Sequence, residues 1–166
     1  MERLFFETKF LAGDAGEIEG LAWPFATPDR VGDVIEKGAF ANATLPLPML
    51  FGHDPDDPVG AWTEATEASD GLRLKGRLLV GEVRRADEVR SLVRAGAVRG
   101  LSIGFITKKA MPRKGGGRTI TKLELLEASL CAIPMHPGAR VTDAKSAVRA
   151  LEIATAINRL AQSIRI

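Results

Sequence analysis

The sequence predicts a mainly β chain with some α, arranged as a bent or closed antiparallel β-barrel surrounded by helices. Three observations carry this. Short β-rich segments separated by turn residues fill most of the first two-thirds of the chain. The apolar period then switches from two to between three and four at residues 82–95, which marks an amphipathic helix. Two further strands and a second helical pattern follow. Strands, one helix, two strands, one helix suit a barrel or strongly bent sheet with helices around it.

Taken in order, residues 3–11 and 17–25 flank the turn cluster Ala12-Gly13-Asp14-Ala15-Gly16 and read as a hairpin. Residues 27–33 are a polar loop, and residues 38–42 suggest a short helical turn. The apolar run 47–51 reads as a buried strand. It ends in a loop at residues 52–58, where two prolines and three aspartates interrupt it. Residues 59–66 and 71–80 form another hairpin around Ser69-Asp70-Gly71. In its second strand Leu72, Leu74, Gly76 and Leu78 alternate with Arg73, Lys75 and Arg77. In the helix of residues 82–95, Val83, Ala86, Val89 and Leu92/Val93 share one face, and Gly96 stops it. Residues 100–108 and 118–133 are strands around the basic, glycine-rich loop 112–117. Thr142 or Asp143 caps a last helix running to about residue 163. The expected division is a barrel domain over 1–142 and a C-terminal helix over 143–166. That helix is apolar on more than one stripe, so it packs on the barrel or forms a dimer interface.

Composition narrows the chemistry. The chain has 166 residues, enough to bury one core. With 23 Lys plus Arg against 21 Asp plus Glu, the net charge of +2 carries no general nucleic-acid or membrane signature. One cysteine forms no internal disulfide, and two histidines leave little for a zinc site, so no metal and no cofactor is expected. Asp54, Asp56 and Asp57 lack the spacing and distal glutamate of an EF-hand. Charges interrupt the apolar N-terminus, so no signal peptide is expected and the default location is a reducing cytoplasm.

Gly100-Leu101-Ser102-Ile103-Gly104 matches the G-x-S-x-G of a nucleophile elbow, but strand residues follow it instead of a helix, and neither histidine fits, since His53 precedes the serine and His136 follows it by only 34 residues. The elbow is therefore rejected. Gly100 and Gly104 are expected instead to leave room beside Ser102 for a substrate backbone. His53, at the end of an apolar strand, suits a general base. Glu127 lies on a strand apolar on both faces, with Leu123, Leu125, Ser129 and Cys131 on its own face. A carboxylate there needs a partner unless its face opens to solvent; a histidine N–H is a natural one and an arginine another. Cys131 reads as a small buried apolar residue, and the basic loop as a hairpin loop near the active site.

Three ordered segments resemble the prohead (capsid maturation) proteases of tailed bacteriophages. They are Phe51-Gly52-His53-Asp54, Gly100 to Phe105, and Leu125-Leu126-Glu127-Ala128-Ser129-Leu130 followed by Pro134. That family is similar to herpesvirus assemblin, a serine protease with a Ser–His–His triad on a bent barrel ringed by helices. Glu127, 25 residues after the serine, falls in the slot of the second histidine. The resemblance implies an assemblin-like serine endopeptidase that processes capsid or scaffold precursors. It would act in the cytoplasm of the bacterial host, inside the immature procapsid. Ser102 would be the nucleophile, His53 the base and Glu127 the residue that orients His53. Met135, His136 and Gly138 would offer oxyanion N–H groups, with Met135 and His136 foremost. It also implies a homodimer formed through the C-terminal helix. A non-catalytic assembly scaffold and another serine hydrolase, such as an esterase, are the alternatives.

Overall fold

The computed structural model describes residues 16–143. The expected strand at residues 3–11 lies outside the described residues. So does the expected C-terminal helix beyond residue 143, with the dimer contact assigned to it.

The chain order is β1 (Glu17–Pro24), β2 (Val34–Ile35), β3 (Leu47–Phe51), β4 (Asp54–Glu67), β5 (Gly71–Leu78), α1 (Arg84–Arg94), β6 (Gly100–Pro112), β7 (Arg118–Cys131) and β8 (Arg140–Asp143). Following the hydrogen bonds gives β7-β3-β4-β5-β1-β8-β6, and β6 pairs back onto β7. The sheet therefore closes into a barrel, and β2 adds to the far end of β7. All pairings around the ring are antiparallel except β3–β7, which is parallel. A hairpin turn forces antiparallel pairing, whereas the long path from β3 to β7 leaves either sense open. Thr142 and Asp143, expected to cap a helix, belong to β8 and extend the barrel beside β1. α1 is the one helix among the described residues.

The interior is filled by inward residues of each strand. Trp23, Met49, Trp62, Leu72, Leu74, Leu78, Leu101, Ile120 and Leu130 are buried. Leu72, Leu74 and Leu78 point in while Arg73, Lys75 and Arg77 point out, as the alternation predicts. The Trp62 indole N–H donates to the Ala128 carbonyl at 2.9 Å, which ties β7 to the core next to Glu127. α1 buries Ala86, Val89 and Val93, and Gly96 ends it at φ +73°. Its Arg85 guanidinium sits 4.6 Å from the Phe51 ring centroid and donates to Asp57 at 2.9 Å. The helix thus braces the strand end that carries His53.

Candidate active site

His53 owes its position to a tight turn. β3 and β4 are joined by only Gly52 and His53, and both have positive φ, at 64° and 65°. Two such residues make the turn type that suits the twist of a β-hairpin. β4 resumes at once at Asp54, so the expected loop over 52–58 shrinks to this turn and a bulge. Phe51 pairs with Asp54 and Leu50 with Pro58. The intervening residues include Pro55, and Asp54 Oδ1 accepts the Asp56 N–H at 2.9 Å. The turn is bound to β7 on one side. The Gly52 N–H donates to the Leu130 carbonyl at 3.0 Å, and the His53 N–H donates to Ser129 Oγ at 3.0 Å.

A bulge decides where Glu127 points. Leu125 pairs with Phe105, but Glu127 pairs with Gly104, so Leu126 is the extra residue. Before the bulge Leu123 and Leu125 are buried; after it Ala128 and Leu130 are. The phase of the strand has flipped. Strict alternation puts Leu123, Leu125 and Glu127 on one face. The bulge instead sends Leu123 and Leu125 inward and Glu127 and Ser129 to the outer face, toward His53.

The β6–β7 ladder sets Ser102 opposite Ser129 and Gly104 opposite Glu127. Residues directly opposite share a face, so these four positions form one outward patch. Their neighbours Leu101, Ile103, Ala128 and Leu130 fill the barrel behind them. Over this patch lies the His53 ring, whose Nδ1 is 2.6 Å from Glu127 Oε1. Glu127 Oε2 accepts the Ser129 hydroxyl at 2.7 Å. The structure therefore brings His53 and Glu127 together. Ser102 lies beside them, only 4% exposed, and its hydroxyl has no hydrogen-bond partner among the described residues. An ionised carboxylate only accepts, so Nδ1 is the donor in this short contact, which in a neutral ring leaves the lone pair on Nε2.

The two glycines around Ser102 have a different use from the one expected. A Cβ on Gly104 would lie 2.3 Å from Glu127 Oε1, and one on Gly100 would lie 2.6 Å from Pro134 Cδ. The room left by the missing side chains is taken by the Glu127 carboxylate and the Pro134 ring, not by space for a substrate backbone.

The loop after β7 carries the expected oxyanion donors. Among the described residues, neither the Met135 nor the His136 N–H has a hydrogen-bond partner. Gly138 is different, because its N–H donates to His136 Nδ1 at 3.1 Å and is no longer free. An acceptor Nδ1 fixes the proton of a neutral ring on Nε2, from which it donates to the Thr27 carbonyl at 3.1 Å. His136 is buried edge-on against Trp23, with centroids 5.0 Å apart. Its ring staples the loop to residues 27–33. Arg30 adds to the staple: its N–H donates to the Met135 carbonyl at 3.3 Å and its Nε to the Pro134 carbonyl at 3.2 Å. Arg118 in turn holds Asp33, donating from Nη2 to Oδ2 at 2.6 Å, and its guanidinium keeps this buried carboxyl below the usual aspartate range. The sequence signalled neither the Ser129 contacts nor the His136 staple, because both depend on which strands meet.

Cys131, opposite Gly100, is a free thiol. Burial, reinforced by the Glu127 charge, pushes its pKa up to about 11. The thiol therefore stays protonated and is a poor nucleophile at neutral pH.

The chain is similar to known proteins in sequence and in fold. The capsid polyprotein of Pseudomonas phage PAJU2 is 36% identical over 147 residues, which cover 84% of this chain and 22% of that protein. The prohead protease of Enterobacteria phage HK97 is 34% identical over 148 residues, covering 84% of this chain and 65% of that protein. The chain thus spans under a quarter of one relative and about two-thirds of the other. In fold it is similar to the capsid assembly protease of bacteriophage T4, with a TM-score of 0.57 and 15% identity over 69% of this chain and 80% of that one. A protease of Kaposi's sarcoma-associated herpesvirus gives a TM-score of 0.50 at 16% identity, covering 76% of this chain and 75% of that one. The family model for the caudovirus prohead serine protease matches residues 6–153, and the chain belongs to that family.

Proposed function

We propose that this chain is a serine endopeptidase that trims capsid or scaffold precursor proteins during head maturation, with Ser102, His53 and Glu127 as its catalytic triad. The observation that carries the reading is the 2.6 Å contact between His53 Nδ1 and Glu127 Oε1, made on the face of the hairpin that also bears Ser102. In this mechanism His53 Nε2 takes the Ser102 hydroxyl proton as Oγ attacks the scissile carbonyl carbon. The carbonyl oxygen becomes an oxyanion, for which the Met135 and His136 N–H groups are the proposed donors. Collapse breaks the C–N bond, and the imidazolium gives its proton to the leaving amine. Water then repeats the sequence on the acyl-enzyme and frees Ser102. Glu127 keeps the ring in one tautomer and stabilises its positive charge. The absence of a Ser102–His53 hydrogen bond fits a resting enzyme, in which such contacts are often loose until substrate binds.

The substrate is read as the major capsid protein or a scaffold precursor, and the place of action as the immature procapsid within the host cytoplasm. Residues 1–142 are proposed as the protease barrel. Asp143 belongs to β8, so the proposed barrel extends to it. The residues beyond 143 are proposed as the segment through which two copies associate, so that specific activity rises with enzyme concentration. Co-expression with a capsid precursor from the same source tests the activity. The wild-type chain shortens the precursor and Ser102→Ala does not. Normal trimming by Ser102→Ala overturns the mechanism, and rapid hydrolysis of small esters without trimming favours an esterase instead.

A further inference from the structure

Ser129 is completely buried behind the His53 turn, and its hydroxyl is used at both ends. It accepts the His53 backbone N–H at 3.0 Å and stands 2.7 Å from Glu127 Oε2. A backbone N–H can only donate, so the hydroxyl proton is aimed at the carboxylate. Each oxygen of Glu127 is then engaged, Oε2 by this hydroxyl and Oε1 by the imidazole. His53 also holds a positive φ of 65°, a conformation that side-chain-bearing residues adopt uncommonly and keep only where the surroundings enforce it. The bond to Ser129 Oγ pins that backbone from the β7 side.

We infer that Ser129 is a positioning residue, whose hydroxyl clamps the His53 backbone and the Glu127 carboxylate together so that the imidazole meets Oε1 in one orientation. The inference rests on the proposed roles of His53 and Glu127. Ser129 touches neither substrate nor the reacting atoms in that scheme and acts only through these two residues. Without the hydroxyl, Glu127 loses the bond that fixes its second oxygen, and the turn loses its side-chain anchor.

The test uses the full chain with Ser129→Ala and Ser129→Cys. Cysteine fills nearly the same space with a weak donor, which separates loss of the hydrogen bonds from loss of packing. The first readout is the low-field ring N–H proton of His53, observed by NMR on histidine labelled with nitrogen-15 and assigned by its loss in His53→Gln. The second is the rate of precursor trimming against precursor concentration. Both variants are expected to shift the ring proton upfield or lose it to exchange. Both lower kcat by about 10- to 100-fold with KM within about 2-fold. Ser129→Thr, which keeps the hydroxyl, is expected to retain the ring signal. A ring signal unchanged in Ser129→Ala overturns the inference, whether or not the rate falls. The ring signal needs no substrate. A wild-type chain that trims nothing therefore removes the protease reading, while the ring proton still decides the role of Ser129.

Discussion

His53 Nδ1 and Glu127 Oε1 lie 2.6 Å apart although 74 residues separate them along the chain. The contact links a two-residue turn to the residue just beyond a β-bulge. Its partners differ in exposure, with side chains 45% exposed for His53 and 13% for Glu127. The carboxylate is thus shielded while the ring keeps an open side toward solvent. That asymmetry suits a base held from behind.

Glu127→Gln tests the orienting role. An amide is nearly the same shape but carries no charge to stabilise an imidazolium. The expected loss in kcat is on the order of 10²- to 10⁴-fold, with the chain still folded by circular dichroism. Retention of full trimming activity would remove Glu127 from the mechanism.

Gly104→Ala tests the space that the carboxylate occupies. The added Cβ would lie 2.3 Å from Glu127 Oε1 and 3.0 Å from both Cγ and Cδ. The side chain has to move, which breaks its contact with His53. A fall in kcat of about 10-fold or more is expected, without any change at the proposed catalytic residues themselves. A crystal structure of the variant would show Glu127 displaced; an unmoved carboxylate would contradict this account.

Asp33→Asn tests the staple behind the loop that follows β7. Asp33 accepts from the Arg118 backbone N–H at 2.7 Å and from the Arg118 guanidinium. Asparagine keeps one acceptor oxygen but loses the charge and replaces the second oxygen with an NH2 that faces the Arg118 guanidinium, which should lower stability at pH 7 by about 2–3 kcal/mol in urea unfolding. The Arg118 guanidinium holds the folded-state pKa of Asp33 below its unfolded value. Its contribution is therefore fully present above the ordinary aspartate range and is lost as pH falls through the folded-state value. The gap between wild type and variant should narrow on acidification. A gap independent of pH would show that the charge is not what matters.

Cys131 provides a chemical control. With its pKa pushed up to about 11, the thiol is expected to react slowly with iodoacetamide at neutral pH in the folded chain and faster after unfolding. Trimming activity should survive that treatment. Rapid inactivation tracking alkylation of Cys131 would indicate that the thiol takes part in the chemistry.

Much of this architecture was legible in the sequence, because local patterns fix local structure. The alternation of Leu72 to Leu78 and the helical spacing of Ala86, Val89 and Val93 both correspond to buried faces. The glycine-rich loop at residues 113–117 does join β6 to β7. The parallel β3–β7 seam was not legible, since only hairpin connections dictate pairing sense. The face assignment around Glu127 failed for a related reason. A single extra residue, Leu126, reverses the phase, and nothing in the local composition marks it. The pairing of Glu127 with a histidine was anticipated from the cost of burying a lone carboxylate. The further contacts of Glu127 with Ser129, and the fit of its carboxylate over Gly104, depend on the ladder register and emerge only in three dimensions.

The central claim is that Ser102 is the nucleophile and that His53 activates it. The most direct measurement is reaction of the trimming-competent chain with a fluorophosphonate, followed by mass spectrometry of its peptides. The account predicts one phosphonyl adduct, on Ser102, with stoichiometric loss of trimming, and little labelling in His53→Gln. An adduct on another residue that tracks the loss of activity, or labelling of Ser102 that proceeds equally fast without His53, would contradict it.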